Sequence, residues 1–412
     1  TKSWLNELKL RAGSGAVGND RMNSDYNPYT QFAYSEGSAS YGMSGSNTAF
    51  SNTGFYQSRF GNADVKWETT TTTNVGIDAT LLKNFTLTFD VWQRTTKDML
   101  YPKQLPLVLG TATRPSINIG EMKNTGFDLQ IGYSNSALNG ELTYSADFVF
   151  SHYKNELTRL TDVASDFYQG SGYREKYYTR TQTGRAFPEF FGYIVDGIFQ
   201  TQGEVDNWPK AFGAAGTYNK PGHFKYRDVD NSGFIDAADR TYIGSPHPDF
   251  TAGLSLNLGY KGFFLSTTLY ATVGNEVVNY VSRFIDYTQF ESGKSHRRFY
   301  ESWGSPKLTN KADATMPMIY ANDTMHQEPS TAFLEDGSFL RMKSLRIGYD
   351  LSRVLKNVGN TLELYVQGSN VFTLTKYSGL DPEIAGAGIN MGIDSGAWPT
   401  PQQFLVGISF GL

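Results

Sequence analysis

The chain has 412 residues, with 36 basic and 40 acidic side chains. That length allows a large core, and the near-balanced charge lacks the basic surface that a nucleic-acid partner would need. The absence of Cys excludes disulfides, thiolate metal sites and Cys nucleophiles. With 28 Phe, 26 Tyr and 42 Gly but only 18% charged residues, the composition favours strands and turns, and no apolar run approaches the 18 residues of a membrane helix.

Alternation of apolar and polar residues is the dominant periodic signal along the chain, and it indicates β-strands. In the last segment, Phe404, Val406, Ile408 and Phe410 fall on one face, while the other face is small and mostly polar. A lipid-facing strand alternates in this way and keeps mean hydropathy low. The same pattern predicts ten strands, at about 4–13, 68–81, 84–98, 122–134, 140–153, 249–260, 262–274, 339–351, 360–373 and 402–412.

The connections between these strands alternate in length. Short ones lie at 82–83, 135–139, 261 and 352–359, and long ones at 14–67, 99–121, 154–248, 275–338 and 374–401. Outer-membrane barrels place short turns in the periplasm and long loops outside, whereas a soluble sandwich has no reason to separate loop lengths. The predicted fold is therefore all-β, a transmembrane antiparallel β-barrel with long extracellular loops and a periplasmic C-terminus.

Six segments in order resemble the SusC/RagA family of TonB-linked outer-membrane proteins, and together they span nearly the whole chain. They are residues 64–100, 118–133, 184–200, 228–275, 336–351 and 365–384. The resemblance implies that residues 1–412 are the C-terminal portion of a 22-stranded, plugged barrel. The N-terminal plug and first barrel strands would then lie outside this chain. Ten strands alone would leave two open edges in lipid, so we expect either a truncated polypeptide or one half of a split barrel.

The same resemblance implies a function and partners. The function is TonB-dependent active import of large nutrients, oligosaccharides or glycans and also peptides, across the outer membrane of a Gram-negative, Bacteroidota-like bacterium. The partners are a SusD-like surface lipoprotein, TonB acting through the missing N-terminal segment, the N-terminal barrel half with its plug, and outer-membrane lipid. Two alternatives remain: a passive porin-like barrel, and a surface β-protein that binds carbohydrate or protein.

Enzymatic motifs are lacking. The sequence has no G-x-x-x-x-G-K phosphate loop and no nucleophile elbow, and its five His show no metal-ligand spacing. We therefore expect no intrinsic catalysis.

The segment D-V-D-N-S-G-F-I-D-A-A-D, residues 228–239, has the spacing of a calcium-binding loop. Calcium takes six to eight oxygen ligands, and Gly233 stands where such a loop turns sharply. Position 12 is Asp rather than a bidentate Glu, so we expect modest affinity and a structural role. The alternative is a turn whose Asp and Asn side chains cap their own backbone. The predicted ligands are Asp228, Asp230, Ser232, the Phe234 carbonyl, Asp236 and Asp239.

Three loop tryptophans, Trp208, Trp303 and Trp398, are weak candidates for substrate contact, because sugars stack on indole faces. Aromatic residues also form membrane girdles and pack loops together, and for any single residue that structural role is the more common one.

Overall fold

Ten long strands dominate the computed structural model, which describes residues 4–19, 28–35, 39–42, 51–102, 112–160, 167–169, 176–211, 218–287, 295–319, 326–355, 361–384 and 386–411. The strands are β1 Leu5–Asn19, β2 Glu68–Leu81, β3 Phe85–Pro102, β4 Ser116–Ala137, β5 Leu142–Arg159, β6 Phe250–Tyr260, β7 Phe263–Val273, β8 Phe339–Asp350, β9 Thr361–Thr375 and β10 Gln403–Gly411.

The ten strands form one antiparallel sheet in which each strand pairs with the next along the chain, from β1 to β10. All ten predicted strands are present, and the alternation of short turns and long loops is confirmed. Several strands run further than predicted: β4 spans Ser116–Ala137 where the sequence predicted 122–134. Its two ends continue the backbone ladder with β3 and β5, and Ile117 and Ile119 carry the apolar alternation into the end that was not predicted.

The short turns are built by residues that adopt positive φ. Lys261 and Gly262 join β6 to β7 with φ of 47° and 93°, and Tyr260 pairs directly with Phe263 across this turn. Positive φ at both central residues gives a two-residue hairpin the twist of its flanking strands. The tight turn therefore fixes the register of the whole hairpin.

The long loops carry their own small elements. Three short helices are α1 Gln202–Asp206, α2 Tyr280–Ile285 and α3 Arg297–Tyr300. Short strands pair within and between the loops. A four-stranded sheet consists of Phe167–Tyr168, Thr179–Gln182, Glu189–Gly192 and Thr241–Gly244, and a three-stranded sheet consists of Leu334–Asp336, Glu276–Asn279 and Ile393–Asp394. Four two-stranded pairs are Val195–Ile198 with Phe224–Tyr226, Lys210–Ala211 with Phe234–Ile235, Gln31–Tyr34 with Phe55–Arg59, and Ser40–Gly42 with Ser51–Thr53. In the part of the chain that the structure describes, no helix has the length and apolar character needed to cross a membrane.

The main hydrophobic core lies in the loops. Three long loops, those between β5 and β6, β7 and β8, and β9 and β10, contribute to it, and most of its members are aromatic. Phe190 and Phe333 are almost completely buried there. We call this unit the loop assembly; its buried residues are Tyr178, Phe190, Tyr193, Ile198, Ala211, Phe224, Tyr226, Ile235, Val278, Tyr280, Tyr287, Met316, Phe333 and Ile393.

Candidate functional site

One face of the ten-stranded sheet is apolar and exposed. Along β10, Phe404, Val406, Ile408 and Phe410 are 67%, 73%, 70% and 53% exposed. Residues paired across the ladders share this face, as Leu364 does opposite Ile408. Soluble monomers rarely expose so continuous an apolar surface, so this face requires an apolar environment.

The opposite face is polar and internally paired. The Arg11 Nη2 donates to Asp78 Oδ1 at 3.0 Å and to Asp90 Oδ2 at 2.7 Å, which links β1, β2 and β3. Trp92 Nε1 donates to Asp128 Oδ2 at 2.8 Å across the next ladder. A Cβ on Gly76 would lie 2.1 Å from Asp90 Oδ1, so glycine at this position leaves the room that the carboxylate occupies.

A second charged pair lies on the same polar face at the other side of the sheet. Arg346 Nη2 donates to Glu363 Oε2 at 2.9 Å, and its guanidinium stacks 4.0 Å from the centroid of the Tyr365 ring. Tyr365 occupies the space beside Gly407, where a Cβ would meet the ring at 2.5 Å. Charged groups thus face one side of the sheet and large apolar groups the other, as in the wall of a water-filled or plugged barrel.

Sequence reasoning missed an ion cluster around the buried Arg341, which joins the loop between β9 and β10 to this polar face. Arg341, which is 3% exposed, donates to Asp381 at 2.5 Å and to Glu383 at 2.6 Å, and Lys343 donates to the same Glu383 at 2.5 Å. Lys343 and Glu383 line a groove of about 560 Å³ together with Tyr270. The partners are separated by 40 residues or more in the sequence, so no local motif indicates that they pair.

The predicted calcium loop brings three of its carboxylates together. Ligand oxygens of Asp228, Asp230 and Asp239 all lie within 4.8 Å of one another, and Asp239 is completely buried. Asn231 and Gly233 adopt positive φ, 59° and 84°, which turns the loop sharply enough to gather them.

Backbone donors hold these carboxylates in place. Asp228 Oδ2 accepts from Gly233 N at 2.8 Å, and Asp239 accepts from Val229 N and Asp236 N, both at 2.7 Å. Hydrogen bonds from Ser232, from its side chain and then from its backbone N–H, lower the pKa of the Asp230 carboxyl below its ordinary value. Each ionised carboxylate oxygen has a further lone pair, so these bonds are compatible with cation binding.

The remaining predicted ligands are placed less simply. The Ser232 Oγ lies 3.0 Å from the Phe234 carbonyl oxygen, so these two oxygens lie side by side in the loop. The Asp236 Oδ1 accepts from Ala238 N at 2.7 Å and caps the 3-10 turn Ala237–Asp239. Asp236 is outside the group of converging carboxylates, so its contact with an ion would have to run through a water molecule.

The three tryptophans differ in their surroundings. Trp208 Nε1 donates to the Tyr226 carbonyl at 2.8 Å, and Trp303 Nε1 donates to Gln200 Oε1 at 2.9 Å, so both indoles are anchored within the loop assembly. Trp398, in the loop between β9 and β10, is 97% exposed. Of the three, Trp398 presents the most open ring face to a ligand.

A sequential antiparallel sheet with one apolar and one charged face, topped by large loops, is part of the wall of a transmembrane β-barrel. Residues 9–275 match the family described as TonB dependent receptor-like, beta-barrel. The chain belongs to this family, and the resemblance to the SusC/RagA group is confirmed.

Known relatives match the chain along almost its whole length. It is 32% identical to TonB-dependent receptor P3 of Formosa agariphila, over 97% of this chain and 39% of the relative. It is 26% identical to TonB-dependent receptor SusC of Bacteroides thetaiotaomicron, over 98% of this chain and 37% of the relative. The solved RagAB peptide transporter shares the fold, with a TM-score of 0.75 and 24% identity over 99% of this chain and 41% of that chain. The chain therefore spans only about two fifths of the length of these relatives.

Proposed function

We propose that the chain forms the C-terminal wall strands and extracellular loops of an outer-membrane importer that takes up large nutrients in a TonB-dependent manner. The cargo would be an oligosaccharide or glycan, or a peptide, and the cell a Gram-negative bacterium of the Bacteroidota kind. The relatives support this proposal by name, since one is SusC and another is a peptide transporter. No catalytic step forms part of it.

The observation that carries the proposal is the division between the two faces of the sheet. An apolar face that includes Phe404 and Ile408 suits lipid, whereas the Arg11–Asp78–Asp90 network suits an aqueous or plugged lumen. Among the described residues, β1 pairs only with β2 and β10 only with β9. Unpaired backbone edges are not stable in lipid, so further strands must complete the wall.

The open edges of the sheet suggest the first partner, and the resemblance to the SusC/RagA family suggests the others. An N-terminal barrel half would pair with β1 and β10, and its plug would fill the lumen beside the charged face. TonB would act on the plug, and a SusD-like lipoprotein would cover the loop assembly from outside. Substrate would pass between the loops, where the exposed ring of Trp398 is a contact candidate.

The proposal is tested by intact-mass analysis of the chain extracted in detergent from native outer membranes, with identification of co-purifying proteins. We expect a covalent polypeptide at least twice as long as this chain, together with a lipoprotein. A chain of 46 kDa bound to a separate N-terminal half would retain the function and make it a split barrel. A lone chain of that mass that needs no detergent would contradict the proposal and favour a surface-binding role.

We also propose that the loop 228–239 binds a calcium ion that stabilises the loop between β5 and β6. The donor set fits a hard cation, because three carboxylates converge beside a hydroxyl and a backbone carbonyl. Three like charges so close together repel one another, and a divalent cation would remove that repulsion.

Calcium titration of the chelator-treated protein, followed by calorimetry, tests this site. Asp228→Asn and Asp230→Asn should each weaken binding at least about tenfold, since each removes a ligand charge. Asp206→Asn is a matched control, because Asp206 accepts from Gln202 in α1 and lies outside the loop. Absence of calcium binding by the wild-type protein at millimolar calcium, or an equal loss in the control, would rule the site out.

A further inference from the structure

A cluster of arginines stacked on aromatic rings lies on the four-stranded sheet of the loop assembly. The Arg180 guanidinium carbon lies 3.5 Å from the centroid of the Phe167 ring and 4.5 Å from that of Phe191. Arg240 lies 5.2 Å from the same Phe191 ring. Two cationic side chains thus share one aromatic platform, which holds their planar groups at low cost in conformational freedom.

A third arginine completes the cluster and differs in its partners. Arg185 stacks 3.7 Å from the centroid of the Tyr242 ring and forms an ion pair with Glu189. The Tyr242 ring in turn packs edge-on against Phe191, with the centroids 5.3 Å apart. The rings and guanidinium groups therefore form one continuous layer; we call it the arginine layer and define it as Phe167, Arg180, Arg185, Phe191, Arg240 and Tyr242.

Two carboxylates that interact with this layer, those of Glu189 and Glu328, already have cationic partners. Glu189 is directly opposite Arg180 in the strand ladder, but its carboxylate binds Arg185. Glu328 is bound by Lys176. Within the part of the chain that the structure describes, neither Arg180 nor Arg240 has a carboxylate within ion-pair distance, and Arg240 donates only to the Tyr177 carbonyl, at 2.9 Å.

Both arginines also have an unused donor in a buried position. The Nε atoms of Arg180 and Arg240 are shielded from solvent and have no hydrogen-bond acceptor. Buried donors without acceptors are rare in folded proteins, and each one needs an explanation such as a bound ion. The pKa of Arg240 is lowered, chiefly by burial; Tyr193 and the Glu328 carboxylate act in the opposite direction, and the positive charge of Arg180 adds to the lowering. An anion placed here would relieve both the unmet donors and the repulsion between the two cations.

We propose that Arg180 and Arg240 bind an oxyanion group, a carboxylate or a sulfate ester, of a ligand that reaches the loops from outside the cell. Stacking on a ring engages the face of a guanidinium group and not the N–H groups in its plane, and those N–H groups match the paired oxygens of a carboxylate or sulfate. The statement that this ligand is imported cargo depends on the proposed import function. The binding of the oxyanion itself does not depend on transport.

Chemical labelling of individual arginines by phenylglyoxal, read by peptide mass spectrometry, tests the proposal on the purified full-length protein. The probes are sodium sulfate and sodium glucuronate, compared with sodium chloride at equal ionic strength. We expect at least one of the two oxyanions to slow the labelling of Arg180 about fivefold or more. Arg227 is the control, because it already binds Asp196 and lies outside the layer, and its labelling should not respond.

A substitution of Arg240 distinguishes an oxyanion site formed by both arginines from binding by Arg180 alone. Arg240→Gln should remove most of the protection of Arg180, whereas Arg227→Gln should leave it unchanged. Protection by sulfate alone assigns a sulfate-ester ligand, and protection by glucuronate assigns a carboxylate. Absence of protection by both probes, or protection of Arg180 that survives Arg240→Gln in full, overturns the proposal. Failure of nutrient uptake with protection intact would contradict the import function and leave the oxyanion site standing.

Discussion

The sheet and the loop assembly are stabilised in different ways although they belong to one chain. The sheet is held by continuous backbone ladders, and its large apolar side chains, such as Val406 and Ile408, are more exposed than buried. The loop assembly has short ladders and a dense aromatic core around Phe190 and Phe333. The sheet exposes its apolar side chains, whereas the loop assembly buries them. This difference indicates that the sheet lies in an apolar environment and the loop assembly in water.

This contrast is best tested by removing the same side chain from each region. Phe190→Ala should destabilise the loop assembly by about 3–5 kcal/mol, because it leaves a cavity in a core that cannot collapse fully. Hydrogen exchange of residues 176–244 should accelerate strongly while exchange in the sheet stays slow. Phe404→Ala, on the exposed face of β10, is the matched change and should leave exchange in the loops unaffected. Equal acceleration by both variants would show that the two regions unfold as one unit.

Charge introduced on the apolar face should distinguish the two faces of the sheet. Val406→Arg should destabilise the protein in liposomes by about 2–4 kcal/mol if Val406 lies near the bilayer centre, and by less near its surface. Ser409→Arg is the control on the polar face of the same strand, where Ser409 pairs with Glu363. The measurement is urea unfolding in lipid vesicles. A greater loss for Ser409→Arg would reverse the assignment of lipid and lumen faces.

The sequence predicted the sheet well and the loop assembly poorly, for physical reasons. Strand alternation is a local signal, so all ten wall strands were predicted, although several of them extend beyond the predicted ends. The short strands of the loops pair across long stretches of chain, as Phe191 does with Tyr242, and no local pattern records such pairing. The arginine layer was missed for the same reason, since Arg180 and Arg240 stack on the same Phe191 ring only after folding.

The calcium loop falls between these cases. Its spacing lies within twelve residues, and the structure brings Asp228, Asp230 and Asp239 close together, whereas their role as calcium ligands stays a prediction. The spacing alone does not reveal that Asp236 caps a 3-10 turn, because that depends on the backbone conformation reached after Phe234–Ile235. Local spacing therefore predicts which residues are near one another, but not the direction in which each side chain points.

The ion cluster around Arg341, at the junction of the two regions, should be sensitive to loss of that cation. Arg341→Ala leaves Asp381 without its guanidinium partner and should cost about 2–3 kcal/mol, below the 3–5 kcal/mol of a fully buried pair because Glu383 is partly exposed. Lys343→Ala removes the more exposed cation from the same Glu383 and should cost about 1 kcal/mol or less. Both losses are measured by exchange in residues 377–384, and equal losses would contradict the burial argument.

The smallest loss of stability is expected on acidification, which tests the same junction without a mutation. Burial raises the pKa of Asp381, but hydrogen bonds from Arg341 and from the backbone N–H groups of Thr400 and Glu383 outweigh burial, so the folded pKa lies below the ordinary value of 3.8. The carboxylate therefore contributes stability that is present above pH 3.8 and is lost as the pH falls through the folded pKa. The loss should be smaller than that of Arg341→Ala, because Glu383 also binds the guanidinium.

Exchange in residues 377–384 should consequently accelerate only on acidification below pH 3.8, while exchange in the core around Phe190 responds less. Asp381→Asn removes the titrating group and should remove most of this acid response, at the cost of a weaker loop at neutral pH. An acid response that persists unchanged in Asp381→Asn would place the sensitive carboxylate elsewhere. The junction between wall and loops would then be held by packing rather than by its ion cluster.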